Sequence, residues 1–345
     1  MRNYLFRCDV SPNVGTGHFR RCLVLAKELK DHGAGVFFAC RMTDFEVPKE
    51  LSLLCDDWTP IEWSLPIESD AQEVLDLYKR YQIDIAVIDH YRINVEYQLK
   101  LYKSGVRWLQ FDGSAQQPLW ADWILNPRLD AKISDYLPLR QRDGTQLLLG
   151  PAYAFLRREF SQRYNQVCFT NQVNQILMTF GGGDDRGAIA FCLEATKKLF
   201  PDVKRVVLTT SENPRNGDIA QWMKKNRVKS ELIVDEPEIA RRMAEADIGI
   251  VSGGMTTFET TSMGLPCIIV QIAENQKLNA KAWHEAGVSI NLGSLEELNK
   301  EVLCQQLQSL IERPEQRKNM HMAGRSLVDC RGAKRVARKL IEQSK

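Results

Sequence analysis

Short β-branched and apolar runs alternate with longer segments of helical periodicity along nearly the whole chain. This alternation is typical of βα units, which build a parallel sheet covered by helices. The runs predict two series of strands, the first at 4–10, 35–40, 84–89, 106–111, 123–125 and 146–149, and the second at 175–180, 205–210, 232–234, 248–251 and 267–271. The pattern therefore predicts an α/β protein with two doubly wound, Rossmann-like halves.

A charged and aromatic stretch at 153–164 separates the two series. We expect an N-terminal Rossmann-like domain at 1–155, a C-terminal nucleotide-binding Rossmann-like domain at 165–328, and a final helix at 329–345 with a solvated basic face. Two domains of this kind face each other across a cleft, and ligands bind beyond the carboxyl ends of parallel strands. The turns that follow the strands are therefore expected to carry the functional residues.

The charge balance and the cysteine spacing exclude several classes of protein. The 345 residues include 46 Lys and Arg against 44 Asp and Glu, a formal net charge of +2, whereas binding to DNA or RNA depends on a basic excess. The N-terminal MRNYLFRCDV becomes polar too early for a signal peptide, and no segment has the roughly 18 apolar residues of a membrane helix. The nine cysteines stand singly, without the spacing of a zinc site. We expect a cytoplasmic protein with reduced cysteines that does not bind nucleic acid and does not insert into a membrane.

The first glycine-rich turn, N-V-G-T-G-H-F-R-R, opens the first helix. Gly15 and Gly17 allow close approach of a ligand to the backbone and to the positive end of the helix. The turn is not a dinucleotide fingerprint, because Arg20 stands where G-x-G-x-x-G requires its last glycine. The helix dipole favours a neutral His18 that can accept a proton, the alternative being a histidine that caps or packs the loop. Arg20 and Arg21 either pair with a phosphate or are ordinary surface arginines.

Three polar residues, Asp89, His90 and Tyr91, follow the next clearly buried strand. At this position Tyr91 can donate a hydrogen bond to a sugar hydroxyl or to a reacting water. For Asp89 and His90 the sequence favours a structural role, in which their side chains tie down the loop.

A run of three glycines, F-G-G-G-D-D, follows the first strand of the second series. Glycines before a helix, such as Gly182, suit backbone contact with a diphosphate. The turn lacks the G-K-[ST] ending of a P-loop, so ATP-driven phosphoryl transfer is not indicated. Asp184 and Asp185 are predicted to cap the helix rather than to hold a divalent ion.

The fourth turn, S-G-G-M-T-T-F-E, is followed by A-E-N-Q-K-L-N. Its glycines and threonines offer backbone amides and hydroxyls to phosphate oxygens. Glu259 follows Thr256 by three residues, which allows two interpretations. The pair can form a capping box, or the Glu259 carboxylate can accept hydrogen bonds from the two hydroxyls of a ribose.

Seven motifs in this order resemble the pseudaminic-acid-pathway UDP-sugar hydrolases, the PseG family. They are G-T-G-H-F-R-R-C-L-V-L-A (15–26), I-D-H-Y (88–91), G-P-A-Y-A-F-L-R-R-E-F (150–160), F-G-G-G-D (180–184), S-G-G-M-T-T-F-E (252–259), A-E-N-Q (273–276) and D-C-R-G-A-K-R-V (329–336). The second half is more distantly similar to the UDP-GlcNAc-dependent glycosyltransferase MurG. This resemblance implies a GT-B-like fold, in which two Rossmann-like domains flank a nucleotide-sugar cleft.

The resemblance implies hydrolysis of UDP-2,4-diacetamido-2,4,6-trideoxy-β-L-altropyranose to UDP and the free sugar. His18 would be the catalytic base that activates water for inverting attack at C1, with Tyr91 beside it. The residues expected to bind the UDP-sugar, from the turns and the resemblance together, are Gly17, Arg157, Gly182, Ser252, Gly254, Thr256, Glu259, Asn275 and Gln276. Cys330 departs from the family, because many relatives have glycine there.

The chemistry of the leaving group agrees with this mechanism. UDP leaves readily, so bond cleavage needs dipoles and hydroxyls that hold the diphosphate rather than a strong general acid. One base then suffices in place of the paired carboxylates of glycoside hydrolysis, and neither a metal nor another cofactor is required. Two alternatives remain open, a glycosyltransferase that uses a UDP-sugar donor and a noncatalytic nucleotide-sugar-binding protein.

Overall fold

The computed structural model describes residues 1–10, 17–42, 49–197 and 201–342. The chain divides into two compact units, of which the first contains Met1–Leu156 with Arg331–Lys345 and the second contains Arg157–Cys330. The last residues thus belong to the first unit instead of standing apart. Within the described ranges, no helix is long and apolar enough to cross a membrane.

The first unit is built on one parallel sheet. Its described strands are β1 (Asn3–Val10), β2 (Gly35–Met42), β3 (Asp57–Ile61), β4 (Ile85–Asp89), β5 (Trp108–Phe111), β6 (Trp123–Asn126) and β7 (Gln146–Leu149), and its helices before the crossing are α1 (Gly17–Asp31), α2 (Lys49–Leu54), α3 (Ile67–Arg80), α4 (Val95–Lys103) and α5 (Ile133–Tyr136). The strands lie in the order β3-β2-β1-β4-β5-β6-β7. The order reverses between β1 and β4, as in a doubly wound fold.

Apolar side chains cover both faces of this sheet. Every residue of β4 is buried, as expected for a parallel strand enclosed on both sides. On one face α1 packs an apolar stripe, formed by Phe19, Cys22, Leu25, Ala26 and Leu29. The other face is covered by α3 and α4, whose buried residues include Val74 and Leu101.

The strand β3 was not predicted from the sequence. Its Asp57 and Pro60 are exposed, and proline has no backbone N–H for pairing. The strand lies at the edge of the sheet beside β2, which is where proline is tolerated.

The second unit is also built on a parallel sheet. Its described strands are β8 (Gln175–Thr179), β9 (Lys204–Thr209), β10 (Ser230–Val234), β11 (Ile248–Val251), β12 (Cys267–Gln271) and β13 (Ser289–Ser294), and its helices are α6 (Arg158–Arg163), α7 (Ala188–Thr196), α8 (Asn216–Asn226), α9 (Ile239–Glu245), α10 (Thr256–Ser262), α11 (Lys277–Glu285), α12 (Lys300–Glu312) and α13 (Pro314–Leu327). The strand order is β10-β9-β8-β11-β12-β13. This order reverses between β8 and β11.

One face of this second sheet is covered by α7 and α12. Their buried residues form one apolar cluster with the strands and include Ile189, Cys192, Leu193, Leu303, Leu307 and Leu310. The edge strand β13 was not predicted, because its sequence S-I-N-L-G-S contains residues that are rare in strands. Its pairing with β12 is irregular between Ile269 and Gln271.

The final helix, α14 (Gly332–Glu342), belongs to the first unit and packs on α1. Its apolar side chains Ala333, Val336, Ala337 and Leu340 are buried in the same cluster as the α1 stripe. The helix begins in close contact with earlier backbone, since a Cβ at Gly332 would lie 2.2 Å from the carbonyl oxygen of Ala154. The C-terminal residues therefore complete the core of the N-terminal unit.

Candidate active site

Most of the candidate residues lie near the points where the strand order of each sheet reverses. In the first unit, β1 leads toward α1, and the neighbouring β4 ends at Asp89. In the second unit, β8 leads to the three-glycine turn and β11 leads to Ser252. Such switch points are where open α/β sheets bind their ligands. Gly15 belongs to residues 11–16, which lie outside the described residues.

His18 lies in the first turn of α1 and contacts Asp89 at the end of β4. The distance between His18 Nδ1 and Asp89 Oδ1 is 2.6 Å. Both side chains are buried, with 6% of His18 and 1% of Asp89 exposed. The neighbouring Gly17 is open, because an added Cβ would meet no atom of the described structure within 4 Å. The strand order brings together two residues that are 71 positions apart in sequence.

Arg21, one turn further along α1, binds the same carboxylate. Its Nε donates to Asp89 Oδ2 at 2.5 Å, and its Nη2 donates to Asp89 Oδ1. On the other side, the Arg21 guanidinium carbon lies 4.4 Å from the ring centroid of Phe111, in a cation–π contact. Arg21 is therefore committed to an ion pair inside the first unit.

The charge state of Asp89 follows from these contacts. Burial raises the pKa of the Asp89 carboxyl, but the Arg21 charge and the hydrogen bonds from Arg21 and His18 outweigh it and lower the pKa below its ordinary value. Asp89 is thus ionised at neutral pH. An ionised carboxylate accepts hydrogen bonds and does not donate them.

Tyr91 stands beside His18 on the outer side of the loop. The two ring centroids are 4.5 Å apart, and the rings meet edge to face at 83°. Tyr91 is 73% exposed, so its hydroxyl is accessible from solvent. The structure brings together the two residues expected to act at the reacting water.

His90 has a different environment from its neighbours. It is buried, and neither ring nitrogen has a hydrogen-bond partner among the described residues. Burial, together with the charges of Arg7 and His18, lowers the pKa of His90 well below its ordinary value. Its ring packs edge to face on Tyr97, with centroids 5.3 Å apart. His90 is therefore a neutral packing residue rather than a hydrogen-bonded tie for the loop.

The glycine turn after β11 is held by two amide side chains. Gln276 Oε1 accepts hydrogen bonds from the backbone N–H of Gly253 at 3.1 Å and of Ile272 at 3.0 Å. Asn279 Nδ2 donates to the carbonyl oxygen of Gly253 at 2.7 Å and to Thr257 Oγ1 at 3.1 Å. Gln276 thus supports the turn through the amide oxygen that would otherwise be available to a ligand.

Glu259 is paired with Arg157 instead of capping its helix. Arg157 Nη2 lies 3.4 Å from Glu259 Oε1, and Arg157 Nη1 lies 2.9 Å from Glu159 Oε1. In this described segment α10 has Met255 at its N-cap position and no side-chain cap hydrogen bond. The capping-box interpretation of Thr256 and Glu259 is therefore not realised, and the carboxylate remains as a candidate ribose ligand.

The remaining predicted residues of the second unit differ in exposure. Ser252 and Thr256 are buried next to the glycine turn, while Gly254 is half-buried and Asn275 is exposed. Gly182 is exposed, and its carbonyl oxygen accepts a hydrogen bond from Thr210 Oγ1 at 2.8 Å. Backbone amides near both glycine turns are thus near the carboxyl ends of adjacent strands.

Of the acidic pair after the three-glycine turn, Asp185 supports the start of α7. Asp185 Oδ2 accepts from the backbone N–H of Ile189 at 2.8 Å, and Asp184 pairs with Arg215 at 2.9 Å. The contact of Asp185 agrees with the predicted capping role, whereas Asp184 pairs with Arg215 and does not cap the helix, whose N-cap position is Gly187. Across the described residues, no group of three or more His, Cys, Asp and Glu side chains is arranged to hold a metal ion.

Comparison with known proteins identifies the family. Residues 176–336 match the glycosyltransferase family 28 C-terminal domain. A UDP-2,4-diacetamido-2,4,6-trideoxy-β-L-altropyranose hydrolase from Campylobacter jejuni is 30% identical over 291 residues, which are 83% of this chain and 97% of that protein. The chain belongs to the PseG family.

Two further similarities extend beyond the PseG family. The spore coat polysaccharide biosynthesis protein SpsG of Bacillus subtilis is 28% identical over 196 residues, 56% of this chain and 57% of that protein. The crystal structure of MurG from Acinetobacter baumannii superposes with a TM-score of 0.73 at 15% identity, covering 99% of this chain and 100% of that one. The likeness to MurG shows the GT-B-like fold that the motifs predicted.

Two contacts of this PseG-family chain were not predicted from its sequence. One is the carboxylate of Asp89 on His18, and the other is the amide of Asn279 on Gly253. The sequence shows only that Asp89 ends an apolar strand, and the structure shows that this strand lies beside the one that precedes His18. The departure at Cys330 also has a structural counterpart, because Cys330 has a φ of +60°, in the region that favours glycine.

Proposed function

We propose that this protein hydrolyses UDP-2,4-diacetamido-2,4,6-trideoxy-β-L-altropyranose to UDP and 2,4-diacetamido-2,4,6-trideoxy-L-altrose, with inversion at C1. Membership of the PseG family makes it an enzyme that acts on UDP-sugars. The finer assignment is supported by the Campylobacter jejuni relative, which is named as the hydrolase of this substrate. The observation that carries it is the buried contact of 2.6 Å between His18 Nδ1 and Asp89, which leaves the other ring nitrogen of His18 available as a base.

In the proposed reaction, His18 Nε2 takes a proton from water as the water oxygen forms a bond to C1 of the sugar. The bond between C1 and the β-phosphate oxygen breaks, and its electron pair leaves with UDP. We propose that Tyr91, whose ring centroid lies 4.5 Å from that of His18, orients the water or a sugar hydroxyl. The imidazolium then returns its proton to solvent.

In the second unit, we propose that the turn after β11 holds the diphosphate. Ser252, Thr256 and the N–H of Gly254 offer the hydrogen-bond donors, and the amides near Gly182 offer more. Charge develops on the diphosphate as UDP leaves, and such preorganised donors stabilise it without reorganisation. Glu259, held by Arg157, is the proposed acceptor for the ribose hydroxyls, and Asn275 is proposed to contact the nucleotide-sugar.

The first test compares His18→Ala with His32→Ala, which changes an exposed histidine at the end of the same helix. UDP release from the UDP-sugar is expected to fall to background in His18→Ala, while UDP binding stays within a few-fold. His32→Ala should behave as wild type. Retained turnover in His18→Ala would remove the histidine from the mechanism.

The bond that breaks is tested in oxygen-18 water with a panel of UDP-sugars. Label in the sugar product shows attack at carbon, and label in UDP contradicts the proposal. Proton NMR of the first anomer formed reports inversion or retention. EDTA is expected to leave the rate unchanged, because the mechanism uses no metal.

Transfer of the sugar to an acceptor is a second candidate, favoured by the match to a glycosyltransferase C-terminal domain over 176–336. The two functions differ in their need for an acceptor. Hydrolysis predicts full-rate release of UDP and free sugar in buffer alone, whereas a transferase would show only slow release until an acceptor is added.

A further inference from the structure

We propose that Asp89 is a positioning residue that fixes which ring nitrogen of His18 carries the proton, and that Arg21 keeps the Asp89 carboxylate charged for this purpose. The inference deepens the proposed function, since it rests on His18 as the base. Its central claim concerns the tautomer of His18 in the free protein. That claim can be measured without any reaction.

The geometry distinguishes the two tautomers of His18. Its Nδ1 has two close neighbours, Asp89 Oδ1 at 2.6 Å and Arg21 Nη2 at 3.1 Å. If Nδ1 carried no proton, its lone pair would face an anionic oxygen at 2.6 Å, which is repulsive. If Nδ1 carries the proton, it donates a short charge-assisted hydrogen bond to that oxygen. The contact with Asp89 Oδ1 is the shorter of the two and therefore favours the tautomer with the proton on Nδ1. In this tautomer the lone pair is on Nε2.

This arrangement requires that Asp89 stay ionised although it is 1% exposed. A buried carboxylate without a partner takes up a proton, and it could then donate to Nδ1 and reverse the tautomer. Arg21 prevents this by donating from Nε to Oδ2 at 2.5 Å and from Nη2 to Oδ1. The ring of Phe111 packs against the guanidinium of Arg21, which adds a second contact that holds this group in place.

The same contacts argue against Arg21 as a phosphate ligand. Both Nε and Nη2 point at Asp89, and a phosphate that recruited them would leave a buried carboxylate unpaired. The cluster of neutral His18, anionic Asp89 and cationic Arg21 has no net charge before reaction. It becomes cationic when His18 accepts the proton from water, next to a carboxylate that stabilises the imidazolium.

The direct test is nitrogen-15 NMR of the histidine side chains. The chain has five histidines, and His18 is assigned by the signal that disappears in His18→Gln. In wild type we expect Nδ1 to be the protonated nitrogen. A protonated Nε2 in wild type would overturn the proposal without the need for any variant at Asp89.

The variant test uses Asp89→Asn, with Asp70→Asn as its matched control. Asp70 is also fully buried and ion-paired, but its partner is Arg7 rather than His18. In Asp89→Asn the amide oxygen is expected to turn to Arg21 and the amide N–H to His18, which moves the proton to Nε2. We expect kcat to fall by at least about 100-fold, with UDP affinity unchanged. In Asp70→Asn the His18 signal keeps its tautomer.

Arg21→Gln and Arg21→Lys separate positioning from phosphate binding. The Asp89 charge is lost or weakened in both, so kcat should fall while KM and UDP affinity stay within a few-fold. The titratable and charged groups that contact His18 are Asp89, Arg21 and Tyr91, and Asp9 and His90 lie close enough for their pKa values to respond to the charge of His18. The two variants alter only Arg21 among these groups. A pH–rate profile that differs from wild type therefore reports the effect of Arg21 on the Asp89–His18 pair.

The outcomes separate this inference from the proposed function. An unaltered tautomer and rate in Asp89→Asn, or a rise in KM without loss of kcat in Arg21→Gln, would overturn the positioning roles. A wild-type protein that shows the Nδ1–H tautomer but releases no UDP from any UDP-sugar would instead refute the proposed hydrolysis. In that case the Asp89–His18 arrangement would stand as measured.

Discussion

Gln276 accepts two backbone hydrogen bonds with one side-chain oxygen, from the N–H groups of Gly253 and Ile272. The turn after β11 therefore depends on a residue that lies 23 positions further along the chain. Asn279 adds a donor to the carbonyl oxygen of the same glycine. The two amides fix the direction of the peptide groups in the turn that we propose to hold the diphosphate.

Gln276→Met tests this support, since methionine fills similar space without an acceptor oxygen. Two largely enclosed N–H groups lose their partner, so the free energy of unfolding should fall by about 1–3 kcal/mol, measured by urea denaturation. UDP affinity should fall as well. Gln308→Met, on the exposed side of α12, is the control and should change stability by less than about 0.5 kcal/mol. Equal stability of the two variants would contradict the assigned role.

Two buried carboxylates of the first unit should respond to acid in opposite directions. The pKa of Asp89 is lowered, so its ionised form stabilises the fold, and this stabilisation is lost as the pH falls through the folded-state pKa. The pKa of Asp9 is raised because burial outweighs the charge of Arg7, so protonation of Asp9 favours the folded state. Below about pH 4, stability should therefore fall less steeply in Asp89→Asn than in wild type. Above about pH 4, Asp9→Asn should lack the gain in stability that wild type shows as Asp9 takes up its proton on acidification. Parallel slopes in chemical denaturation at several pH values would refute the assignment.

At the scale of the elements, α14 is part of the first unit's core although it follows the whole second unit. Leu340 is fully buried against the α1 stripe, whereas Arg338 on the same helix is largely exposed. Leu340→Ala should lower the free energy of unfolding by about 2–5 kcal/mol, and Arg338→Ala should have little effect. In Leu340→Ala, the backbone amides of α1 as well as those of α14 should exchange their hydrogens faster than in wild type. Unchanged exchange in α1 would argue against this packing.

The sequence predicted the elements whose signal is local. The strands from β1 to β12 other than β3 appear near their expected positions, because each is a short apolar run, and the helix expected at the first glycine-rich turn appears as α1. The strand β3 was missed because Pro60 and exposed Asp57 obscure the pattern at a sheet edge. The strand β13 was missed because its sequence S-I-N-L-G-S contains residues that are rare in strands, among them Gly293 with a φ of +82°.

The candidate site divides in the same way. Glycine turns after strands, and polar residues at strand ends, can be read from the sequence. The pairing of His18 with Asp89 cannot, because it depends on β1 and β4 being neighbours across 71 residues of chain. For the same reason the sequence did not predict the ion pair of Arg21 with Asp89, which is neither of the two interpretations that the sequence offered for this arginine.

At the scale of the whole molecule, the chain passes from the first unit to the second after Leu156 and returns after Cys330. The returning crossing contains a residue in an unfavourable backbone conformation, since Cys330 has a φ of +60°. Next to it, Gly332 allows close backbone contact with Ala154. In the second crossing, the close backbone contact requires glycine at position 332, whereas at position 330 cysteine adopts a backbone conformation that favours glycine.

The difference in stability between a glycine and an alanine variant should have the opposite sign at position 330 from the sign that it has inside a helix. Both substitutions remove the thiol, so their difference isolates the backbone. Cys330→Gly should be more stable than Cys330→Ala by about 1 kcal/mol, because alanine is strained at positive φ. In α12, Cys304→Gly should be less stable than Cys304→Ala by about 1 kcal/mol. The same sign at both sites, in thermal or urea unfolding, would show that position 330 carries no strain.

The packing of α14 on α1 also sets an order of events during synthesis. A ribosome releases the N-terminal sheet first, but the side chains that close its apolar face emerge only after the second unit has been made. At about 5–20 residues per second, that delay lasts on the order of ten seconds or more. The nascent first unit must therefore keep the α1 stripe uncovered for that time, while the second unit, which is contiguous in sequence, can finish folding before it.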